Sequence, residues 1–123
     1  QHSAGQPQDA AGVKAALKEF VKAMVKGREL HLQPKTGGAL VAALCKLSPD
    51  MSALLVGDRN QQRLQLSGVS NVHRGMEALL LDLGFEVDAN MVVLELDSGA
   101  CITFHLGHGQ AADDFAFFMR LIT

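Results

Sequence analysis

Residues that could bind a metal ion lie close together near the end of the chain. Cys101, Thr103 and His105 alternate along a strand-like run and would share one face, with His108 just beyond. Zinc sites need three or four ligands at defined spacing. The step from Cys101 to His105 spans about 13 Å along a strand, which is too far for one ion. Since His105 and His108 supply only two ligands, we predict no metal site.

The chain has no arrangement of residues that is typical of catalysis. Gly107-His108-Gly109 matches neither a phosphate-binding loop nor a nucleophile elbow. Asp113 and Asp114 are adjacent, so on a helix they point about 100° apart and cannot form a carboxylate pair. We expect both in the first turn of a helix, where they favour its dipole. Cys45 and Cys101 lie in apolar runs without a basic cluster that would lower a thiol pKa. The sequence therefore predicts that the protein is not an enzyme and has no cofactor.

Two surfaces could bind a membrane or a protein. Lysines recur at every fourth position of a predicted helix, about 140° from its apolar stripe: Lys14, Lys18, Lys22 and Lys26. This lysine stripe could contact anionic headgroups, at about 1 kcal/mol per lysine, or could be a solvated face. Phe117 and Leu121 lie off the core stripe of the last helix and could contact a protein partner, because aromatic residues often anchor interfaces. A flanking loop or the first helix could instead cover them.

Length and composition are those of one small domain. The chain has 123 residues, 48% of them apolar and 20% charged, with a net charge of −2. This balance gives no overall field for nucleic acid. We assign residues 9–123 to a single domain and interpret residues 1–8 as a disordered linker or vector remnant. Cys45 and Cys101 could form a disulfide, but two buried thiols in a reducing compartment are the favoured interpretation.

A strand pattern dominates between two helices. Asp9 is expected to cap a helix that ends at Lys26, before Gly27. Apolar residues at helical spacing from Met76 to Leu83, with Gly84 as a stop, predict a short helix. A last helix is expected over 111–122, with Arg120 in its final turn. Alternation and turn residues predict strands over 28–33, 39–47, 52–56, 62–66, 69–73, 91–96 and 100–106.

Four short segments carry a resemblance to a known family. They are Gly27-Arg28-Glu29-Leu30, the run from Leu64 to Gly75, and Ala100–Phe104 followed by Asp113-Asp114-Phe115. In this order, over roughly residues 13–123, the chain resembles the inner membrane complex sub-compartment proteins of apicomplexan parasites. Its strands and closing helix resemble the pleckstrin-homology fold. The expected fold is therefore α+β: a bent antiparallel sheet or barrel of about seven strands, capped by a C-terminal helix, with an extra N-terminal helix.

The resemblance implies a non-catalytic scaffold that binds protein partners. It would lie on the cytoplasmic face of the inner membrane complex, tethered by N-terminal myristoyl and palmitoyl groups outside this segment, and would act in daughter-cell budding. Lipid-binding members of the fold hold phosphates with several cations near the first two strands. Here the first loop offers only Lys35, with Arg28 before the first strand and Lys46 late in the second. We therefore expect no specific phosphoinositide binding.

Two alternatives stay open at this point. One is a domain that binds phosphoinositides or anionic membranes through unusual basic positions, such as the lysine stripe. The other is a small α+β regulator of the profilin or longin kind, in which the strand order would differ.

Overall fold

The strand pattern of the sequence forms one antiparallel sheet. The structure, a computed structural model, describes residues 10–34, 37–57, 61–81, 83 and 85–123. The strands are neighbours in the order β4-β3-β2-β1-β7-β6-β5, which leaves β4 and β5 as the two edges. This order and the helix that follows β7 confirm the predicted α+β pleckstrin-homology-like class. The strands are β1 (Arg28–Leu32), β2 (Val41–Leu47), β3 (Ala53–Val56), β4 (Gln62–Gln65), β5 (Val69–Arg74), β6 (Met91–Leu96) and β7 (Cys101–His105).

Two α-helices lie at the ends of the described chain, α1 (Ala10–Lys26) and α2 (Gly109–Ile122). Gly27 stops α1 as predicted, since it takes a φ of 114°, a conformation that favours glycine. The predicted cap, Asp9, lies outside the described residues, as do residues 1–8. No helix in the described part of the chain is long and apolar enough to cross a membrane.

The main core lies between the sheet and both helices. The alternation of side chains along the strands places Leu30 of β1 and Phe104 of β7 on the inner face of the sheet, where both are buried. From α2, Phe115 packs against Phe104 with ring centroids 5.4 Å apart. From α1, Phe20 stacks on Phe118 of α2 at 5.0 Å. Both helices therefore pack on one apolar cluster.

A second, smaller apolar cluster covers the outer face of β6. Met91 and Val93 are buried there with Ala78 and Val87, while Val92 and Leu94 point into the main core. The predicted short helix in this region begins as a 3₁₀ helix, Gly75–Leu80, and not as an α-helix; its predicted stop, Gly84, lies outside the described residues. Strand β6 is therefore covered on both faces.

Helix α2 begins two residues earlier than the sequence predicts. The His108 ring acts as its N-cap, because Nδ1 accepts a hydrogen bond from the Ala111 backbone N–H at 3.2 Å. The expectation that Asp113 and Asp114 occupy the first turn is wrong, since Asp113 is then the fifth residue of the helix. Arg120 does lie in the last turn, as predicted.

Candidate functional site

A cavity, which we call the mouth, lies at one end of the sheet. Antiparallel pairing brings the end of β1, the starts of β2 and β4, and the β6–β7 connection to this end, and described residues from each of them line the cavity. The cavity has a volume of about 510 Å³, within the usual range for ligand pockets. Its walls include Leu32, Val41, Phe85 and Ile102. Val41 is 53% exposed, so the apolar wall is open to solvent.

The described lining of the mouth carries no charged side chain. Its polar members are Gln33, Gln62, Cys101 and Thr103. The Gln33 amide is already used, because it donates to the Gly38 carbonyl oxygen at 3.3 Å. Binding several phosphates requires several fixed cations, and these walls supply none.

The basic residues that the sequence places near the first two strands lie away from this cavity. Arg28 pairs with Cys45 at the start of β1, whereas the mouth begins at the other end of that strand, beside Leu32. Four residues along a strand separate these ends by about 13 Å. Lys46 is next to Cys45 and its side chain lies over Gly27, where a Cβ atom added to the glycine would be 3.1 Å from the lysine Cε. Lys35 lies outside the described residues.

The lysine stripe faces solvent. Lys14, Lys18, Lys22 and Lys26 are all exposed on α1, while Met24 on the same helix is 1% exposed. The Lys22 Nζ atom lies 3.6 Å from a carboxylate oxygen of Glu19, and both side chains are largely exposed. A surface pair of this kind contributes little and leaves both side chains accessible.

Of the two residues predicted to contact a partner on α2, Leu121 is exposed and Phe117 is half-buried. Leu121 is 49% exposed. Phe117 is half-buried, and its ring meets the Phe118 ring edge to face at 5.2 Å. The two residues therefore do not form a fully open apolar patch, although Leu121 remains accessible.

Two of the residues considered for metal binding or catalysis are held within the fold, His105 by hydrogen bonds and Cys45 by burial. His105 Nε2 lies 3.3 Å from the Asp88 carboxylate, while its Nδ1 accepts a hydrogen bond from the Gly107 N–H. Burial raises the pKa of the Cys45 thiol to about 11, which makes it a poor nucleophile. Within the described ranges, no three His, Cys, Asp or Glu residues lie together in a way that could hold a metal ion.

An ionic network that joins α2 to β5 and to the 3₁₀ helix Gly75–Leu80 has no signal in the sequence. Arg74 at the end of β5 forms an ion pair with Asp113 and donates to the Gly109 carbonyl oxygen at 3.2 Å. Arg120 pairs with Glu77 at 2.7 Å. The ion-paired partners are 39 or more positions apart in the chain, so no local spacing indicates the network.

Comparison with known proteins finds solved structures of similar fold. No family model and no curated protein matches the chain. Inner membrane complex sub-compartment protein 1 from Toxoplasma gondii has a TM-score of 0.72 and 17% identity, over 98% of each chain. Sub-compartment protein 3 from the same organism has a TM-score of 0.69 and 16% identity, over 89% of this chain and 83% of that one.

The chain has the fold of these two proteins. The likeness covers both helices and the sheet, so the resemblance that the sequence indicates is confirmed at the level of the fold. The observed strand order also removes the profilin-like and longin-like alternatives, since it is that of a pleckstrin-homology-like domain.

Proposed function

We propose that this domain is a non-catalytic scaffold of an inner membrane complex. It would be tethered to the cytoplasmic face by N-terminal acyl groups outside this segment, and it would recruit protein partners during daughter-cell budding. Two observations support this proposal: the fold shared with two inner membrane complex sub-compartment proteins over most of the chain, and the absence of charged side chains from the described lining of the mouth.

The mouth is the observation that carries the proposal. In a fold whose lipid-binding members grip phosphates with clustered cations, Leu32, Val41 and Ile102 line the cavity instead. A polyphosphorylated headgroup placed against these walls would lose hydration without gaining charged hydrogen bonds. An apolar cavity with a few polar groups suits uncharged side chains of a protein partner better. Membrane attachment then has to come from elsewhere.

Flotation with vesicles tests the loss of phosphoinositide binding. The protein is mixed with vesicles that contain individual phosphoinositides, and with phosphatidylserine vesicles of equal surface charge. We expect equal flotation, because only nonspecific charge attraction remains. Stronger flotation with one phosphoinositide would contradict the proposal. A Lys35→Ala/Arg59→Ala variant then shows whether these two cations, which lie outside the described residues, hold the headgroup.

The proposed location at an inner membrane complex is tested by a separate experiment. The full-length protein, tagged at its C-terminus and expressed in an apicomplexan parasite, is expected to overlap with an inner membrane complex marker in mature and budding cells. A diffuse or nuclear signal would contradict the proposed location without bearing on the proposed loss of phosphoinositide binding.

A second candidate function is direct binding to anionic membranes through the lysine stripe. It is favoured by one observation, the exposure of all four lysines on one helix. We then expect Lys18→Glu to weaken flotation with phosphatidylserine vesicles more than Arg63→Glu does, although both change the charge by the same amount. Arg63 is exposed on β4, so it is a matched control. Equal effects of the two changes would exclude a specific role for the stripe.

A further inference from the structure

Two side chains bind backbone groups of the edge strand β5. Arg120 of α2 donates to the Val72 carbonyl oxygen from Nε at 3.2 Å and from Nη2 at 3.0 Å. Glu77 accepts a hydrogen bond from the Arg74 backbone N–H at 2.8 Å. Among the described strands β5 pairs only with β6, so these backbone groups lie on the side of β5 that no described strand covers.

Glu77 and Arg120 also bind each other, and we call this pair the edge gate. Arg120 Nη2 lies 2.7 Å from Glu77 Oε1, the same oxygen that accepts from Arg74. The backbone hydrogen bond from Arg74, aided by the charge of Arg120, holds the pKa of Glu77 below its usual value. The carboxylate is therefore charged at neutral pH. The gate is also accessible, since both side chains are about half exposed.

The edge gate covers the groups that strand pairing would need. In an antiparallel ladder, residues two apart direct their N–H and C=O groups to the same side. Val72 and Arg74 stand in this relation, and an added strand would bind the Val72 carbonyl oxygen and the Arg74 N–H as successive rungs. Open edges of this kind are templates for association with another chain. The gate occupies one of the two hydrogen-bonding groups in each rung, the Val72 carbonyl oxygen in one and the Arg74 N–H in the next.

We propose that the edge gate keeps the chain monomeric, and that its opening allows β5 to pair with β5 of a second copy. The sequence of β5 fits its own copy in antiparallel register. With Val72 opposite Val72 of the second copy, Asn71 lies opposite His73 of that copy, so no two like-charged side chains face each other directly. Paired β-branched residues favour such a ladder, and the two-fold symmetry closes the assembly at two chains.

Sedimentation equilibrium of the double variant Glu77→Ala/Arg120→Ala tests the proposal. We expect its dimerisation constant to be at least tenfold stronger than that of the wild-type protein. The matched control is Glu19→Ala/Lys22→Ala, which removes one acidic and one basic side chain from the exposed pair on α1 and should stay monomeric. Equal association of the two double variants would overturn the proposal.

A third change identifies the surface that pairs. Val72→Pro removes the N–H on the open side of β5, a place where an edge strand tolerates proline. Added to the double variant, it should return the protein to a monomer. In the double variant itself, the Val72 amide should be protected against hydrogen exchange only in the dimer. A dimer that survives the change to proline would show that another surface is responsible and would refute the assignment to β5.

The wild-type protein provides a measurement that does not depend on the folding of the double variant. Since about 1 M salt screens an exposed ion pair, we expect the dimer fraction to rise with salt, and not to rise in the single variant Val72→Pro. A salt response that is the same in both proteins would contradict the gate.

Discussion

Replacing Met24 by alanine tests whether α1 belongs to the core of the domain. Met24 is 1% exposed and lies in the main apolar cluster. Truncating a buried methionine to alanine costs about 2–5 kcal/mol, depending on how far the neighbours relax into the gap. Two neighbours on α1, Phe20 and Val25, are only half-buried and have room to move. We therefore expect a loss of about 3 kcal/mol in the free energy of unfolding.

Urea denaturation followed by circular dichroism measures this loss. For a domain of this size the dependence of the unfolding free energy on urea is about 1.5 kcal/mol per M, so the midpoint should fall by about 2 M. Since small domains have unfolding free energies of about 5–15 kcal/mol, the variant should still fold. The slope should not change, because the same surface is exposed on unfolding.

Met76→Ala is the matched control. It removes the same side chain from the 3₁₀ helix Gly75–Leu80, where Met76 is 52% exposed. Its midpoint should correspond to the wild-type free energy within about 0.5 kcal/mol. If Met24→Ala and Met76→Ala unfold at the same urea concentration, α1 does not pack on the sheet in solution and the reasoning is refuted.

Three further changes probe individual groups. Burial raises the pKa of Cys45 to about 11, so iodoacetamide at pH 8 should modify this thiol only after unfolding, as mass spectrometry would show. Because a thiol in the unfolded chain ionises at about pH 8.5, stability should fall as the pH rises from there to 11, and Cys45→Ala should lack that fall. Hydrogen bonds from two serines of the β2–β3 turn lower the pKa of Asp50 to about 2. The stability from Asp50 should therefore be present above about pH 4 and lost as the pH falls towards 2; an unchanged acid profile for Asp50→Asn would contradict this. Gly75 has a φ of 55° and its added Cβ would lie 3.3 Å from the Ala89 backbone, so Gly75→Ala should cost at least about 1–2 kcal/mol. Gly68→Ala, which enters open space, should cost distinctly less by the same urea measurement.

Local patterns in the sequence are sufficient to predict the strands. Leu30 and Leu32 of β1 face the core side, whereas Glu29 and His31 are exposed, as two-residue alternation requires. The β6–β7 hairpin forms across Asp97-Ser98-Gly99, between the strands predicted over 91–96 and 100–106. These features depend on neighbouring residues alone, which is why they can be read from one sequence.

The start of α2 shows where local patterns fail. Gly107 and Gly109 indicate a turn, so the sequence predicts that the helix begins at Ala111. The structure begins it at Gly109, because the His108 ring replaces the side chains that usually cap helices. Asp113 is consequently displaced from the first turn and pairs with Arg74 on β5. Since histidine is not a usual N-cap residue, its presence at position 108 does not indicate where the helix begins.

The mouth and the edge gate could not be predicted, because each is assembled from distant parts of the chain. The mouth joins Val41, Gln62 and Ile102 from three separate parts of the sheet. Glu77 and Arg120 are 43 positions apart. The contacts within the mouth and the edge gate depend on the course of the sheet and on the position of α2. The spacing of residues within one segment specifies neither of these.

Strand β6 is a wall common to two apolar interiors. Val92 and Leu94 belong to the larger one, and Met91 and Val93 belong to the smaller one on the opposite face. A substitution that disturbs the packing of either cluster displaces the backbone of β6 and therefore also disturbs the other cluster. We therefore expect the outer layer over β6 to melt together with the rest of the protein, in one cooperative transition, instead of peeling away at a lower temperature.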